Sequence, residues 1–171
     1  MTIALCSGSF DPVTNGHLDI FERASAMFDS LIVGVFHNIK KKSFFSVAER
    51  VALLQEATRH ISNLEVVSFD GLLTEYMHEA GAQVIVRGLR SVTDFEYEQN
   101  EAQLIKWMAP EIETVFLLSR PEFAYVSSSG IRELARFHGK IHGLVPNCVE
   151  TAVRQRQIEL ESCSIDAVKS I

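Results

Sequence analysis

Short apolar runs separated by helical patterns are the feature that most constrains how this chain folds. Runs rich in Val, Ile and Leu recur at residues 2–6, 31–36, 64–69, 84–87 and 114–118. They are nearly continuous rather than alternating, which is typical of strands buried on both faces of a parallel sheet. Strands that alternate with helices favour right-handed crossovers and ligand binding beyond the carboxyl ends of the strands. We therefore predict an α/β fold, a single domain with a doubly wound, parallel, five-stranded sheet of Rossmann-like type.

The helices are predicted from apolar spacing and from capping signals. The first is expected to begin at about His17, and the others to lie near residues 47–57, 72–80, 93–108 and 128–138. Ser46 and Glu49 form a capping box, because the hydroxyl can accept a backbone N–H bond while the carboxylate reaches back. A last helix has Asn147 as its expected N-cap and Glu150 at the capping-box position. The chain 1–171 is then one domain, with residues 162–171 expected as a C-terminal tail.

Charge and cysteine content narrow the class of protein. Sixteen Lys and Arg against twenty-two Asp and Glu give a net charge of -6, the wrong sign for a chain that binds nucleic acid by bulk electrostatics. Three cysteines without C-x-x-C spacing favour a reducing compartment. The apolar run at the N-terminus is too short for a signal sequence or a membrane span. We expect a cytoplasmic protein that has neither nucleic acid nor membrane as a partner.

The loop between the first strand and the first helix carries a possible phosphate site. It runs Ser-Gly-Ser-Phe-Asp-Pro-Val-Thr-Asn-Gly-His from Ser7 to His17. Backbone N–H groups and the helix dipole can point at an anion in such a strand, loop and helix arrangement. Asn-Gly is equally a hairpin turn signal, and a lone histidine at a helix start is commonly a surface residue. The residues alone leave both interpretations open.

Several motifs taken together resemble one enzyme family. Gly-Ser-Phe-Asp-Pro at 8–12 and Thr-Asn-Gly-His at 14–17 resemble the opening of bacterial phosphopantetheine adenylyltransferases, a branch of the H-x-G-H nucleotidyltransferase superfamily. The wider superfamily has a histidine where this chain, like that branch, has Thr14. The resemblance reaches about residue 160 and includes Lys41. It also includes Arg-Gly-Leu-Arg at 87–90, Asp-Phe-Glu-Tyr-Glu at 94–98 and Ser-Ser-Ser at 127–129.

The resemblance implies a reaction. AMP would pass reversibly from ATP to 4'-phosphopantetheine, giving 3'-dephospho-CoA and pyrophosphate in coenzyme A synthesis. The acceptor phosphate is already an anion, so direct in-line attack requires positioning and charge neutralisation rather than a general base. The family also implies Mg²⁺ carried with ATP, a homohexamer and feedback inhibition by coenzyme A. No histidine clusters with carboxylates or cysteines at metal-ligand spacing, so we assign no metal to protein side chains.

The resemblance also assigns roles to residues. His17 would stabilise the transition state, with Lys41 and Arg90 as further catalytic residues. The residues that bind the acceptor would be Ser9, Lys41, Leu73 and Arg87. The residues that bind ATP would be Ser9, Phe10, His17, Gly88, Leu89, Arg90, Glu98, Phe123, Ala124, Tyr125, Val126, Ser127, Ser128 and Ser129.

Structural interpretations remain open for many of these residues. Ser9 could be a turn residue and Phe10 a core side chain. The lysines at 40–42 and the acidic residues around Glu98 are typical of solvated surfaces. The three serines at 127–129 could act only as a helix N-cap.

The chain also departs from the family pattern, and other functions compete with it. Cys6 and Ser7 stand where a Tyr-Pro pair is common, and Ser43 where proline is frequent, which affects loop geometry. One rival is another nucleotidyltransferase of the superfamily, acting on nicotinamide mononucleotide or a phosphorylated alcohol. The others are a non-catalytic nucleotide-sensing module and a flavodoxin-like protein that binds a mononucleotide.

Overall fold

The computed structural model describes residues 1–36 and 43–169, with side chains up to residue 160. The strands are β1 Ile3–Gly8, β2 Ser30–Phe36, β3 Leu64–Phe69, β4 Val84–Leu89 and β5 Glu113–Leu118. The helices are α1 Asn15–Ser25, α2 Val47–Thr58, α3 Leu73–Ala80, α4 Val92–Met108, α5 Ser128–Arg136 and α6 Asn147–Lys169. A short 3₁₀ turn, Pro121–Phe123, precedes α5. The five predicted strands are all confirmed.

The five strands form one parallel sheet in the order β3-β2-β1-β4-β5. Chain order runs outward from β1 to β3 in one direction and from β4 to β5 in the other. The carboxyl ends of β1 and β4 therefore lie side by side where the direction of winding reverses. Ligands of open α/β sheets bind in the crevice at such a point.

Helices pack against both faces of the sheet, which explains why the apolar runs of its central strands are nearly continuous. Successive strand residues point to opposite faces. Ala4, Cys6 and Val33 belong to one hydrophobic core, which includes residues of α1, α2, α5 and α6. Leu5 and Ile32 belong to the second core, together with residues of α3 and α4. No helix among the described residues combines the length and apolarity needed to span a membrane.

Helix ends largely follow the capping signals. Ser46 and Glu49 make the predicted capping box, and Gly81 ends α3 with a φ of 65°. The prediction for α6 was wrong by one residue, because the Glu150 N–H donates to the carbonyl of Pro146 and Asn147 is already helical. The Glu150 carboxylate contacts His142 and Arg154 instead of reaching back to the helix start. Helix α6 continues to Lys169 and takes up most of the segment 162–171 expected as a tail.

Candidate active site

A cavity of about 460 Å³ lies at the carboxyl ends of β1 and β4. Its walls come from the loop after β1, the first turn of α1, the end of β4, the first turns of α4, and the start of α5. The cavity thus occupies the crevice that the strand order favours for a ligand. Three helices present their N-termini to it, and helix N-termini attract anions through backbone N–H groups and the helix dipole.

His17 is held by a reciprocal cap at the start of α1. Helix α1 begins at Asn15, two residues earlier than predicted, and Thr14 is its N-cap. The Thr14 hydroxyl accepts a hydrogen bond from the backbone N–H of His17 at 3.4 Å. The imidazole returns to the cap, where Nδ1 accepts the N–H of Thr14 at 3.0 Å. A ring nitrogen that accepts a backbone N–H carries no proton, so in the neutral ring the proton resides on Nε2.

The surroundings of His17 keep the ring neutral. Burial lowers its pKa from 6.5 to about 4, and the charge of Arg90 adds to the effect. The ring packs edge-on against Phe10 at 5.2 Å and stacks over Phe21 at 6.4 Å between centroids. His17 therefore faces the cavity as a neutral donor through Nε2 at physiological pH.

Ser9 and Phe10 turn the chain between β1 and α1. Phe10 adopts a positive φ of 44°, and its ring folds back over Gly8, where an added Cβ would lie 2.9 Å from the ring. Phe10 is buried in the core and also lines the cavity. The carbonyl of Ser9 accepts a hydrogen bond from the buried Arg50 at 2.7 Å. With its carbonyl occupied in this way, Ser9 still lines the cavity.

Arg87 lies between the end of β1 and helix α4. Its Nη1 donates to the carbonyl of Ser7 at 2.9 Å, and its Nε is 3.2 Å from a carboxylate oxygen of Glu98. Burial raises the pKa of Glu98, an effect that the charge of Arg87 opposes. The pair lines the cavity, so a ligand phosphate beside Arg87 would share the guanidinium with Glu98.

Arg90 follows β4 and connects two walls of the cavity. Its Nε donates to Asp94 at 2.9 Å and its Nη2 donates to the other carboxylate oxygen at 3.2 Å. Its Nη1 donates to the carbonyl of Val126 at 3.1 Å. The guanidinium therefore joins the first turn of α4 to the segment that leads into α5.

The serines after the 3₁₀ turn divide between structure and site. Ser127 is the N-cap of α5 and accepts the N–H of Gly130 at 3.1 Å. The hydroxyl of Ser128 donates to the carbonyl of Pro12 at 2.8 Å and so attaches the start of α5 to the loop after β1. Ser129 is exposed, with its hydroxyl 3.2 Å from that of Ser127. All three line the cavity, so the N-cap interpretation and the phosphate-site interpretation hold together.

Most of the predicted site residues meet in this cavity. Those that line it are Ser9, Phe10, His17, Arg87, Gly88, Arg90, Glu98, Val126, Ser127, Ser128 and Ser129. Four predicted ATP-binding residues do not line it: Leu89 is buried, Phe123 packs against the core, and Ala124 and Tyr125 are exposed. Leu73 packs against the second core. Lys41 lies outside the described residues, so its role stays a prediction.

Two charged residues of the cavity are absent from the sequence-based set of site residues. Asp94 was interpreted as part of a solvated acidic face, yet it holds Arg90. Arg132 lines the cavity from α5, and its Nη1 donates to the carbonyl of Asp11. Both lie four residues after a predicted site residue, Arg90 or Ser128, on a helix whose start faces the ligand. This i, i+4 spacing from a site residue is a signal that could have identified them.

Comparison with known proteins settles the family. A family model described as cytidylyltransferase-like matches residues 5–134. A phosphopantetheine adenylyltransferase from Shouchella clausii (strain KSM-K16) is 51% identical over 155 residues, covering 91% of this chain and 98% of that relative. One from Clostridium botulinum (strain Eklund 17B / Type B) is 48% identical over 156 residues, with the same coverage of both chains. The chain belongs to the phosphopantetheine adenylyltransferase family.

Similarity to a solved structure supports the fold. A putative nicotinate-nucleotide adenylyltransferase from Vibrio parahaemolyticus matches with a TM-score of 0.66, covering 90% of this chain and 99% of that chain. At 17% identity this match shows the fold alone. The resemblance to phosphopantetheine adenylyltransferases and the predicted nucleotidyltransferase fold are both confirmed.

Proposed function

We propose that this chain transfers AMP from ATP to 4'-phosphopantetheine, giving 3'-dephospho-CoA and pyrophosphate in a reversible reaction of coenzyme A synthesis. Relatives that match over nearly their whole length are named for an adenylyltransferase of phosphopantetheine. The observation that carries the proposal is the cap on His17, which leaves Nε2 as a neutral donor in a cavity shared with Arg87 and Arg90. A neutral hydrogen-bond donor and two guanidinium groups around one cavity suit a reaction between two phosphates.

The proposed mechanism is direct in-line displacement. A phosphate oxygen of the acceptor attacks the α-phosphorus of ATP, a new P–O bond forms, and the bond to the β-phosphate oxygen breaks as pyrophosphate leaves. Negative charge develops on the oxygens around the α-phosphorus, where the Nε2–H of His17 would donate a hydrogen bond. A donor aimed at developing charge lowers the barrier without any proton transfer. The remaining contribution of the protein is to align the two phosphates.

The two substrates would divide the cavity between them. We place the acceptor phosphate beside Ser9 and Arg87, with Lys41 as a further cation, and we assign Leu73 to the acceptor site through its backbone. ATP would lie against the end of β4 and the start of α5, with its phosphates near Arg90. The segment 123–129 would close over the nucleotide, and Gly88, Leu89 and Glu98 would complete its site. Leu89 would serve through its backbone, because its side chain is buried.

We propose that Mg²⁺ enters with ATP, held by phosphate oxygens and water. Magnesium keeps several waters and is commonly bound through substrate phosphates. The described part of the chain brings no three metal-ligating side chains together, so the donors would come mainly from the nucleotide. When bound, the ion neutralises charge on the leaving pyrophosphate.

Pyrophosphate release tests the function. The chain would be incubated with ATP and Mg²⁺ and with 4'-phosphopantetheine, nicotinamide mononucleotide or glycerol 3-phosphate, each beside His17→Ala. We expect release with 4'-phosphopantetheine alone, largely lost in the variant. Release with another acceptor would keep the chemistry and reject the acceptor. ATP binding without release from any acceptor would favour a nucleotide-sensing module.

We also propose a homohexamer. Helix α4 exposes large apolar side chains, with Tyr97 64%, Leu104 52% and Trp107 80% accessible in the single chain. Tyr97 and Leu104 are seven residues apart and lie on one side of the helix, as a face that packs on another subunit requires. Light scattering should give a mass six times the 19.1 kDa of the chain. A monomer in solution would refute this assignment.

Two further proposals concern regulation and location. Coenzyme A contains the product of the proposed reaction, so it should compete with 4'-phosphopantetheine and raise the apparent KM of that substrate. An inhibition pattern that is insensitive to the 4'-phosphopantetheine concentration would contradict this. Three cysteines without C-x-x-C spacing favour a reducing compartment, so we propose a cytoplasmic location, which cell fractionation would test.

A further inference from the structure

We infer that Asp94 is a positioning residue for Arg90 and sets the direction in which that guanidinium meets ATP. The inference rests on the proposed function for the identity of the ligand. Asp94 was first interpreted as a solvated acid, but its carboxylate accepts three hydrogen bonds from Arg90. They come from the backbone N–H at 3.1 Å, from Nε at 2.9 Å and from Nη2 at 3.2 Å.

The hydrogen-bond inventory of Arg90 shows what Asp94 leaves available. A guanidinium has five N–H donors in a fixed planar fork. Asp94 takes the N–H on Nε and one on Nη2, and the carbonyl of Val126 takes one on Nη1 at 3.1 Å. One N–H on each terminal nitrogen remains. The one on Nη2 points away from Asp94, at the end of the fork, which suits a phosphate oxygen.

Asp94 is itself fixed by the start of α4. It is the third residue of the helix, and its N–H donates to the hydroxyl of the N-cap Ser91 at 3.1 Å. The carboxylate therefore stands on a rigid helical turn, whereas Arg90 is a long side chain with many rotamers. The pair is partly exposed, with side-chain accessibilities of 37% for Arg90 and 25% for Asp94. Exposed ion pairs contribute little to folding stability, so the effect of Asp94 is expected on the reaction.

The contact to Val126 extends the effect across the cavity. Val126 directly precedes Ser127, the N-cap of α5. Fixing Arg90 through Asp94 therefore also fixes where the guanidinium meets the segment proposed to cover the nucleotide. Without the carboxylate, Arg90 would keep its charge and lose its direction. A small misplacement of a positioning group can lower a rate by about 10²-fold.

Asp94→Asn is the variant that tests this. The asparagine amide keeps one acceptor oxygen but replaces the other with an NH₂ group, which cannot accept a hydrogen bond from Arg90. The paired hydrogen bonds from Nε and Nη2 can then no longer both form. We expect kcat with 4'-phosphopantetheine to fall about tenfold or more, and ATP to bind more weakly. Glu96→Gln is the matched control, because it makes the same carboxylate-to-amide change at an exposed position two residues further along the same helix. It should keep kcat within about twofold of the unchanged chain.

A double-mutant cycle separates positioning from a structural role. In an Arg90→Ala background, Asp94→Asn should change kcat and the ATP dissociation constant by less than about twofold, because the group that Asp94 orients is gone. Addition of free guanidinium at millimolar concentration should restore part of the rate to Arg90→Ala, and less of it when Asp94 is also replaced. Unchanged kcat and ATP affinity in Asp94→Asn, or an equal effect with and without Arg90, would overturn the inference.

ATP binding can be measured even if the proposed reaction does not occur, so the role of Asp94 is tested separately from the proposed function. If the unchanged chain released no pyrophosphate, the proposed reaction would fail. Calorimetric ATP titrations of the four chains of the cycle would still show whether Asp94 acts through Arg90. Coupling between the two residues in ATP binding would support the inference, and additive effects would reject it.

Discussion

His17 is expected to act as a neutral hydrogen-bond donor, and its replacement tests that expectation. His17→Ala removes the Nε2 donor from the cavity. Loss of one donor aimed at developing charge typically lowers kcat by about 10²-fold to 10³-fold. Glutamine places an amide N–H at nearly the reach of Nε2, so His17→Gln should recover part of that loss. The Thr14 hydroxyl still caps α1 in both variants, so both should fold.

The pH dependence of kcat identifies which protonation state of the His17 imidazole is active. With its pKa lowered to about 4 by burial, the ring stays neutral from about pH 5 upward. An imidazole that acted as a cation near its usual pKa of 6.5 would instead change kcat around that pH. The acceptor phosphate loses its own second proton near pH 6 and would produce a change of its own. We therefore expect the chain and His17→Gln to give pH profiles of the same shape that differ in height.

The assay is pyrophosphate release at saturating ATP, Mg²⁺ and 4'-phosphopantetheine between pH 5 and pH 9. Circular dichroism of each variant at each pH controls for unfolding. A change of kcat near pH 6.5 that is present in the unchanged chain and absent in His17→Gln would show that the imidazolium takes part. A folded His17→Ala with nearly full activity would remove His17 from the mechanism altogether.

Three further outcomes follow from buried groups. His17 stays neutral in the native chain, whereas in the unfolded chain it binds a proton near pH 6.5. The free energy of unfolding should therefore fall by about 2 kcal/mol between pH 7 and pH 5. Urea unfolding of His17→Gln should lack this loss. Burial raises the pKa of Cys6 to about 12, so iodoacetamide at pH 8 should modify Cys6 only after unfolding, as mass spectrometry would show. In Gly34→Ala the new Cβ would lie 2.7 Å from the Phe69 ring, which stacks on Tyr76. Urea unfolding should therefore show a free energy of unfolding that is lower by about 1–3 kcal/mol, and Phe69→Leu should partly restore it.

Local rules in the sequence were enough for the elements of the fold. The apolar runs gave the strands most clearly where a strand is buried on both faces, as in β2, where Leu31, Ile32 and Val33 are all buried. Ser46 and Glu49 marked the start of α2 because both partners of a capping box lie within four residues. Strand order could not be predicted in the same way, since the adjacency of β1 and β4 joins residues 80 apart, as Ala4 and Val84 show. The cavity depends on that adjacency.

Capping interactions explain why the site was only partly visible in the sequence. His17 and Asp94 are each the third residue of a helix, where a side chain can bond to backbone just ahead of the helix. Each makes such a bond, His17 to the N–H of Thr14 and Asp94 to the N–H of Arg90. The same contacts fix an imidazole tautomer in one helix and a guanidinium direction in the other. Residues that begin helices therefore also orient the groups expected to meet phosphate, and their effect on kcat should exceed their effect on stability.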